Sequence, residues 1–204
     1  CNNIFMGVNS GKNSNATDNI FLGCNSGQTN NNGASNLFIG TNTGINNYNG
    51  NKNIYLGPSS GYENYSGAEN IFIGSCSGYG NKTGNYNTFI GSNSGYTNED
   101  GENNIYIGKE TGYLNEVGID NLCLGNFAGY NSKGSSNIFL GNNSGFNNSD
   151  GYDNMFIGLS SGNKNVNGFD NIFIGKESGN KNFGGNDNVF VGNQSGKEND
   201  SGIG

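Results

Sequence analysis

Apolar residues along this chain come in triplets, not at helical spacing. Each triplet is bounded by Asn before and Gly after, as in Asn70-Ile71-Phe72-Ile73-Gly74 and Asn188-Val189-Phe190-Val191-Gly192. Three β-branched or aromatic residues between such breakers are too few for a helix and predict one short β-strand. Side chains alternate across a strand, so the outer two members of a triplet share one face and the middle one takes the other. Because all three are apolar, the pattern predicts a strand buried on both faces.

The triplets belong to a longer unit, Asn-Ile-Phe-Ile-Gly-x-x-Ser-Gly-Tyr-x-Asn-x-x-Gly-x-x, opening at Asn3, Asn19, Asn36, Asn53, Asn70, Asn87, Asn104, Asn121, Asn137, Asn154, Asn171 and Asn188. The interval is 17 residues, except for the 16-residue units opening at Asn3 and Asn121, whose missing residue falls in the second half, where a loop tolerates it. Positions 1, 5 and 9 are Asn, Gly and Gly in all twelve units, and position 3 is aromatic in all but one, where Cys123 stands. A short unit repeated at fixed period cannot bury its apolar face alone and does so by stacking. Residues 1–204 are therefore read as a single array, an all-β parallel β-solenoid (β-roll) of twelve 17-residue coils. With coils about 4.8 Å apart, it forms a rod about 55 Å long.

Within each coil, Ser-Gly-Tyr-x-Asn predicts a weaker, partly buried return strand carrying Tyr62, Tyr79, Tyr96, Tyr113, Tyr130 and Phe146. Glycines at positions 5, 9 and 15 are expected at corners with positive φ. The position-1 asparagines are expected to form a hydrogen-bonded ladder along the stack. The first strand begins two residues from the start and Gly204 completes the last unit in phase, with no capping unit at either end, so the array is expected to continue through more chain or another copy. Cys1 reads as the edge of a cropped piece or, alternatively, as a lipidated mature N-terminus.

Composition alone, with 31% hydrophobic and 12% charged residues and 38 glycines, would suggest disorder; the repeat overrides it. A net charge of −7, with lysine the only cation, argues against nucleic-acid partners. No apolar run approaches the roughly 18 residues of a membrane span. Histidine and tryptophan are absent, and no Ser/His/Asp, Cys/His or zinc-ligand constellation is present, so the chain is expected not to be an enzyme. The recurrent Gly-x-x-Ser-Gly stretches follow the coil period and read as corners.

Cys24 and Cys76 lie three coils apart, about 14 Å at the stacking distance and beyond disulfide reach. Together with Cys123 they read as free, semi-buried thiols filling apolar slots, with an intermolecular bridge as the alternative. Asp153, Asp170 and Asp187 precede position 1 in consecutive coils and form an acidic edge, with calcium bridging as a weak candidate role and no other cofactor expected. Asn-x-Ser/Thr sequons occur at Asn15, Asn64, Asn81, Asn142, Asn147, Asn193 and Asn199.

The Asn-Ile-Phe-Ile-Gly-x-x-Ser-Gly core resembles the Asn-Ser-Val-Ala-Ile-Gly-x-x-Ser repeats of YadA-like trimeric autotransporter adhesin heads. It is more similar still to the Asn-Thr-x-Ile-Gly-x-x-Ala-Gly-Tyr-x-Asn repeats of bacterial and phage tail fibres of the endosialidase-chaperone type. The resemblance spans the chain and implies an extracellular, cell-surface or virion-tail fibre that assembles with other copies of itself, as a trimer or filament, and meets a host-surface ligand or glycan. The unit is longer than that of the adhesin heads, and position 3 is bulky where they have Ala. An alternative function is an ice- or glycan-binding solenoid presenting a regular polar rank.

Counting faces gives one further expectation. If positions 2 and 4 fill a thin coil, the position-3 side chains point outward in one line and form the oligomer interface: Phe21, Phe38, Phe72, Phe89, Cys123, Phe139, Phe156 and Phe173. In the competing arrangement the aromatics point inward and the aliphatic pair faces the partner.

Overall fold

The computed structural model describes residues 2–202, so Cys1 and Gly204, and the readings attached to them, lie outside the described residues. Twelve three-residue strands, from β1 (Ile4–Met6) to β12 (Val189–Val191), form one parallel sheet in strict sequence order. The register repeats from coil to coil, with Ile71, Phe72 and Ile73 opposite Thr88, Phe89 and Ile90. Among the described residues there is no helix. The parallel β-solenoid expected from the repeat is the observed fold.

Each coil turns a corner at position 5 and returns through two tight turns. The expected return strand is absent: positions 6–11 are turns. The backbone nevertheless bonds along the stack in both halves of the coil. In the strand half, Ile71 N donates to Asn87 O at 2.8 Å; in the return half, Gly78 N donates to Ser94 O at 2.9 Å and Gly80 N to Tyr96 O at 2.8 Å. Intercoil hydrogen bonding therefore does not require strand geometry, and left-handed residues at positions 7 and 9, such as Cys76 (φ 53) and Gly78 (φ 58), keep the return half out of it.

The interior is one file of stacked rings. Phe21, Phe38, Tyr55, Phe72 and Phe89 are wholly buried, and neighbouring rings from Phe21 to Tyr106 lie 4.7–4.9 Å apart, within 9° of parallel. That spacing sits in the favourable range for aromatic pairs and equals the strand separation. The ring explains the invariant glycine at position 9. A Cβ on Gly78 would lie 2.5 Å from two carbons of the Phe72 ring, and its φ is positive as well. At position 5, Gly74 has φ +136 and a Cβ there would come 2.5 Å from Gly91 O in the next coil. Position 15 corrects the expectation. Its glycines are conserved in geometry for close approach instead of positive φ: a Cβ on Gly84 would meet Gly101 O at 2.3 Å.

Polar ladders flank the rings. At position 1, Asn87 N donates to Asn70 Oδ1 at 2.9 Å while Asn70 Nδ2 donates to Gly84 O at 2.8 Å. The expected ladder is present: every rung includes a backbone N–H, and from Asn104 to Asn188 the side chains also bond one another directly, as where Asn121 Nδ2 donates to Asn104 Oδ1 at 3.0 Å. A second ladder at position 12 was not anticipated: Asn98 Nδ2 donates to Asn81 Oδ1 at 2.8 Å and to Gly101 O at 2.9 Å. A third runs through position 8, where Ser77 Oγ donates to Phe89 O at 3.0 Å. These side chains are fully buried, and buried polar groups are tolerated because each is paired.

Two stability measurements follow. Gly74→Val, which puts a β-branched residue at positive φ against a carbonyl, is expected to destabilise by about 2–4 kcal/mol, whereas Ser75→Val on the exposed neighbour changes stability by less than about 0.5 kcal/mol. Equal melting temperatures would show the corner geometry to be wrong. Among the described residues the Tyr55 hydroxyl is buried without a hydrogen-bond partner, whereas Tyr106 Oη accepts from Asn115 Nδ2 at 2.7 Å. Tyr55→Phe is therefore expected to be neutral or stabilising by about 1 kcal/mol and Tyr106→Phe destabilising by a similar amount, read by thermal unfolding.

Candidate functional site

The structure overturns the aromatic interface. Phe21, Phe38, Phe72, Phe89, Phe139, Phe156, Phe173 and Cys123 are no more than 1% exposed within a single chain, so none is available to a partner. The reason is the shape of the coil: it is wide enough for one flat ring per layer lying against the position-9 glycine, and the outer triplet members cannot lie flat in that slot. Positions 2 and 4 consequently point outward, and the strand is buried on one face only. Mid-stack examples remain substantially exposed, Ile39 at 39%, Ile54 at 37%, Ile105 at 41% and Ile107 at 39%. The sheet thus presents two parallel files of aliphatic side chains, interrupted in kind only by Thr88.

A second surface lies on the return half. Tyr62, Tyr79, Tyr96, Tyr113, Tyr130 and Phe146 stack at position 10, ring centroids 4.8–5.1 Å apart, and are half-buried as expected. Partial burial, with neighbouring tyrosines and acids, raises the phenol pKa of Tyr79 and Tyr113 above the usual value. Beside this file runs a shallow groove of about 570 Å³ lined by Thr29, Asn46, Tyr48, Glu63, Tyr65, Lys82 and Thr83. Tyr48 and Tyr65 are exposed and stack on each other at 5.3 Å. Sequence reasoning missed the groove because positions 11 and 13 vary from coil to coil; two tyrosines one period apart were the available signal.

The acidic edge has a local explanation. Asp153, Asp170 and Asp187 are exposed and all have positive φ (53, 53 and 59), a conformation Asp tolerates better than most residues. Among the described residues no group of three or more Asp, Glu or Cys side chains converges where a cation could be held, so their placement lends calcium binding no support. Axial ion pairs offset part of the acidic charge on the coil surface, as in Lys82–Glu99 at 2.6 Å and Lys52–Glu69 at 2.9 Å. Each partner holds the lysine pKa above its usual value.

Among the described residues three cysteines are free thiols: Cys76 is half-buried as expected, Cys24 is exposed, and Cys123 is fully buried in the apolar file. Burial pushes the Cys123 thiol far above its usual pKa, so it stays protonated and unreactive. Among the sequons, Asn64 and Asn81 belong to the buried position-12 ladder and cannot carry a glycan on the folded chain, while Asn15, Asn142 and Asn193 are exposed.

By its fold the protein is a β-solenoid repeat protein. No protein-family model matches the chain, and neither a curated protein nor a solved structure is significantly similar to it.

Proposed function

We propose that the chain is a segment of an extracellular fibre, an adhesin head or shaft or a tail-fibre shaft, whose role is mechanical, not catalytic. The observation that supports this most is the continuity of the stack. Backbone bonds and the position-1 amide ladder run through all twelve strands along one axis, and rings fill every layer but that of Cys123, giving stiffness and a length proportional to the number of coils. The likeness of the repeat to adhesin-head and tail-fibre repeats points the same way. Immunogold labelling of intact, unpermeabilised cells or virus particles of the source is expected to decorate surface projections. Label that appears only after permeabilisation would contradict the reading.

The groove favours a second reading, a glycan-binding rod. Tyr48 and Tyr65 supply apolar ring surface beside the Asn46 amide and the Glu63 carboxylate, a mixture suited to sugar hydroxyls and C–H groups, in a volume typical of small-molecule sites. Titration with neutral oligosaccharides, followed by NMR, is then expected to shift the Tyr48 and Tyr65 ring signals and leave the position-10 tyrosines unmoved. Uniform or absent shifts across a varied oligosaccharide panel would remove this reading.

A further inference from the structure

We infer that the outward aliphatic face of the strands is where this chain binds a second copy of itself, sheet against sheet. Positions 2 and 4 carry Ile, Leu, Val, Met or Thr in every coil and never a charged residue. Interface centres are depleted of charge in this way. On this rod the charged side chains stand elsewhere, in columns such as Lys82–Glu99 and Lys52–Glu69.

The size of the face also calls for a partner. Two partly exposed aliphatic side chains per coil over twelve coils leave on the order of 1,000 Å² of apolar surface in one strip. A soluble monomer exposes contiguous patches of only a few hundred Å², and a standard interface covers about 800 Å² per partner. The strip alone therefore supplies enough area for a specific complex.

Its periodicity selects the partner. Side chains in each file recur at every strand, about 4.8 Å apart, and the two files are separated by one pleat, about 7 Å. Only a surface ridged at the same interval can fill the gaps between successive side chains along the whole rod, and a second copy carries that interval. Flat sheets pack about 10 Å apart with side chains interdigitated, which closes both files at once.

The test is the mass of the full chain in solution, by sedimentation at micromolar concentration. The native chain is expected to sediment as a dimer or larger assembly. Ile105→Lys with Ile107→Lys, on β7 (Ile105–Ile107) in mid-stack, is expected to weaken association at least tenfold with far-UV circular dichroism unchanged. Val117→Lys with Ile119→Lys places the same charge on exposed apolar residues away from the strands and is expected to leave the assembly intact. If the lysines disturb the coil, Ile105→Thr with Ile107→Thr, repeating the residue already present at Thr88, keeps the test readable and is expected to weaken association several-fold. A monomeric native chain, or an assembly indifferent to the strand substitutions, would overturn the inference.

Discussion

Every layer of this molecule must stack on a near copy of itself at the spacing set by strand-to-strand hydrogen bonds. That constraint selects the interior. Flat rings satisfy it, since their favourable centroid separation coincides with the coil repeat; the file from Phe21 to Tyr106 never departs from 4.7–4.9 Å. Carboxamides satisfy it because one end accepts and the other donates, so each layer completes the next. Like charges do not, and the buried polar residues are accordingly Asn, Ser and Thr alone.

The interior is therefore largely amide and hydroxyl, an arrangement that would be costly in a globular core and is stable here because the buried Asn, Ser and Thr side chains are paired. Where the register of side chains breaks, it breaks together. The unit opening at Asn121, one residue short, carries Cys123 in place of a ring, Ala128 in place of the hydroxyl and Ser132 in place of the position-12 amide. The other short unit has Ser14 at that same amide position, and in both cases the following asparagine reaches the serine hydroxyl, at 3.2 and 3.3 Å. A tightened loop and a shorter inward side chain go together. The ring itself survives shortening, as Phe5 shows, stacked 5.0 Å from Phe21.

The strand positions, parallel register and absence of helix were legible because Asn-Ile-Phe-Ile-Gly bounds each strand and the 17-residue period aligns it with the next. Which face points inward was not, because alternation carries no information when Ile71, Phe72 and Ile73 are all apolar. The missing clue was relational: an invariant glycine six residues after the aromatic leaves room for a ring, and only the closed coil brings the two into contact. The position-12 ladder left a signal, since Asn recurs there in every unit but the two short ones, whereas exposed Asn142 stands at variable position 6; that recurrence was not read as burial because position 12 falls in the half of the coil taken as a partly buried return strand. The groove at Tyr48 and Tyr65 and the exposed aliphatic files depend on which side of a turn faces outward, and left-handed residues at position 7, from Asn25 to Phe127, set that without a constant residue type.

The claim that paired amides line the coil is tested most directly by hydrogen exchange of asparagine side-chain NH2 groups, resolved by NMR. Two populations are predicted: Asn70, Asn87, Asn81 and Asn98, in the buried ladders, exchange orders of magnitude more slowly than exposed Asn15, Asn142 and Asn193. Side-chain amides exchanging alike throughout the chain would contradict the account.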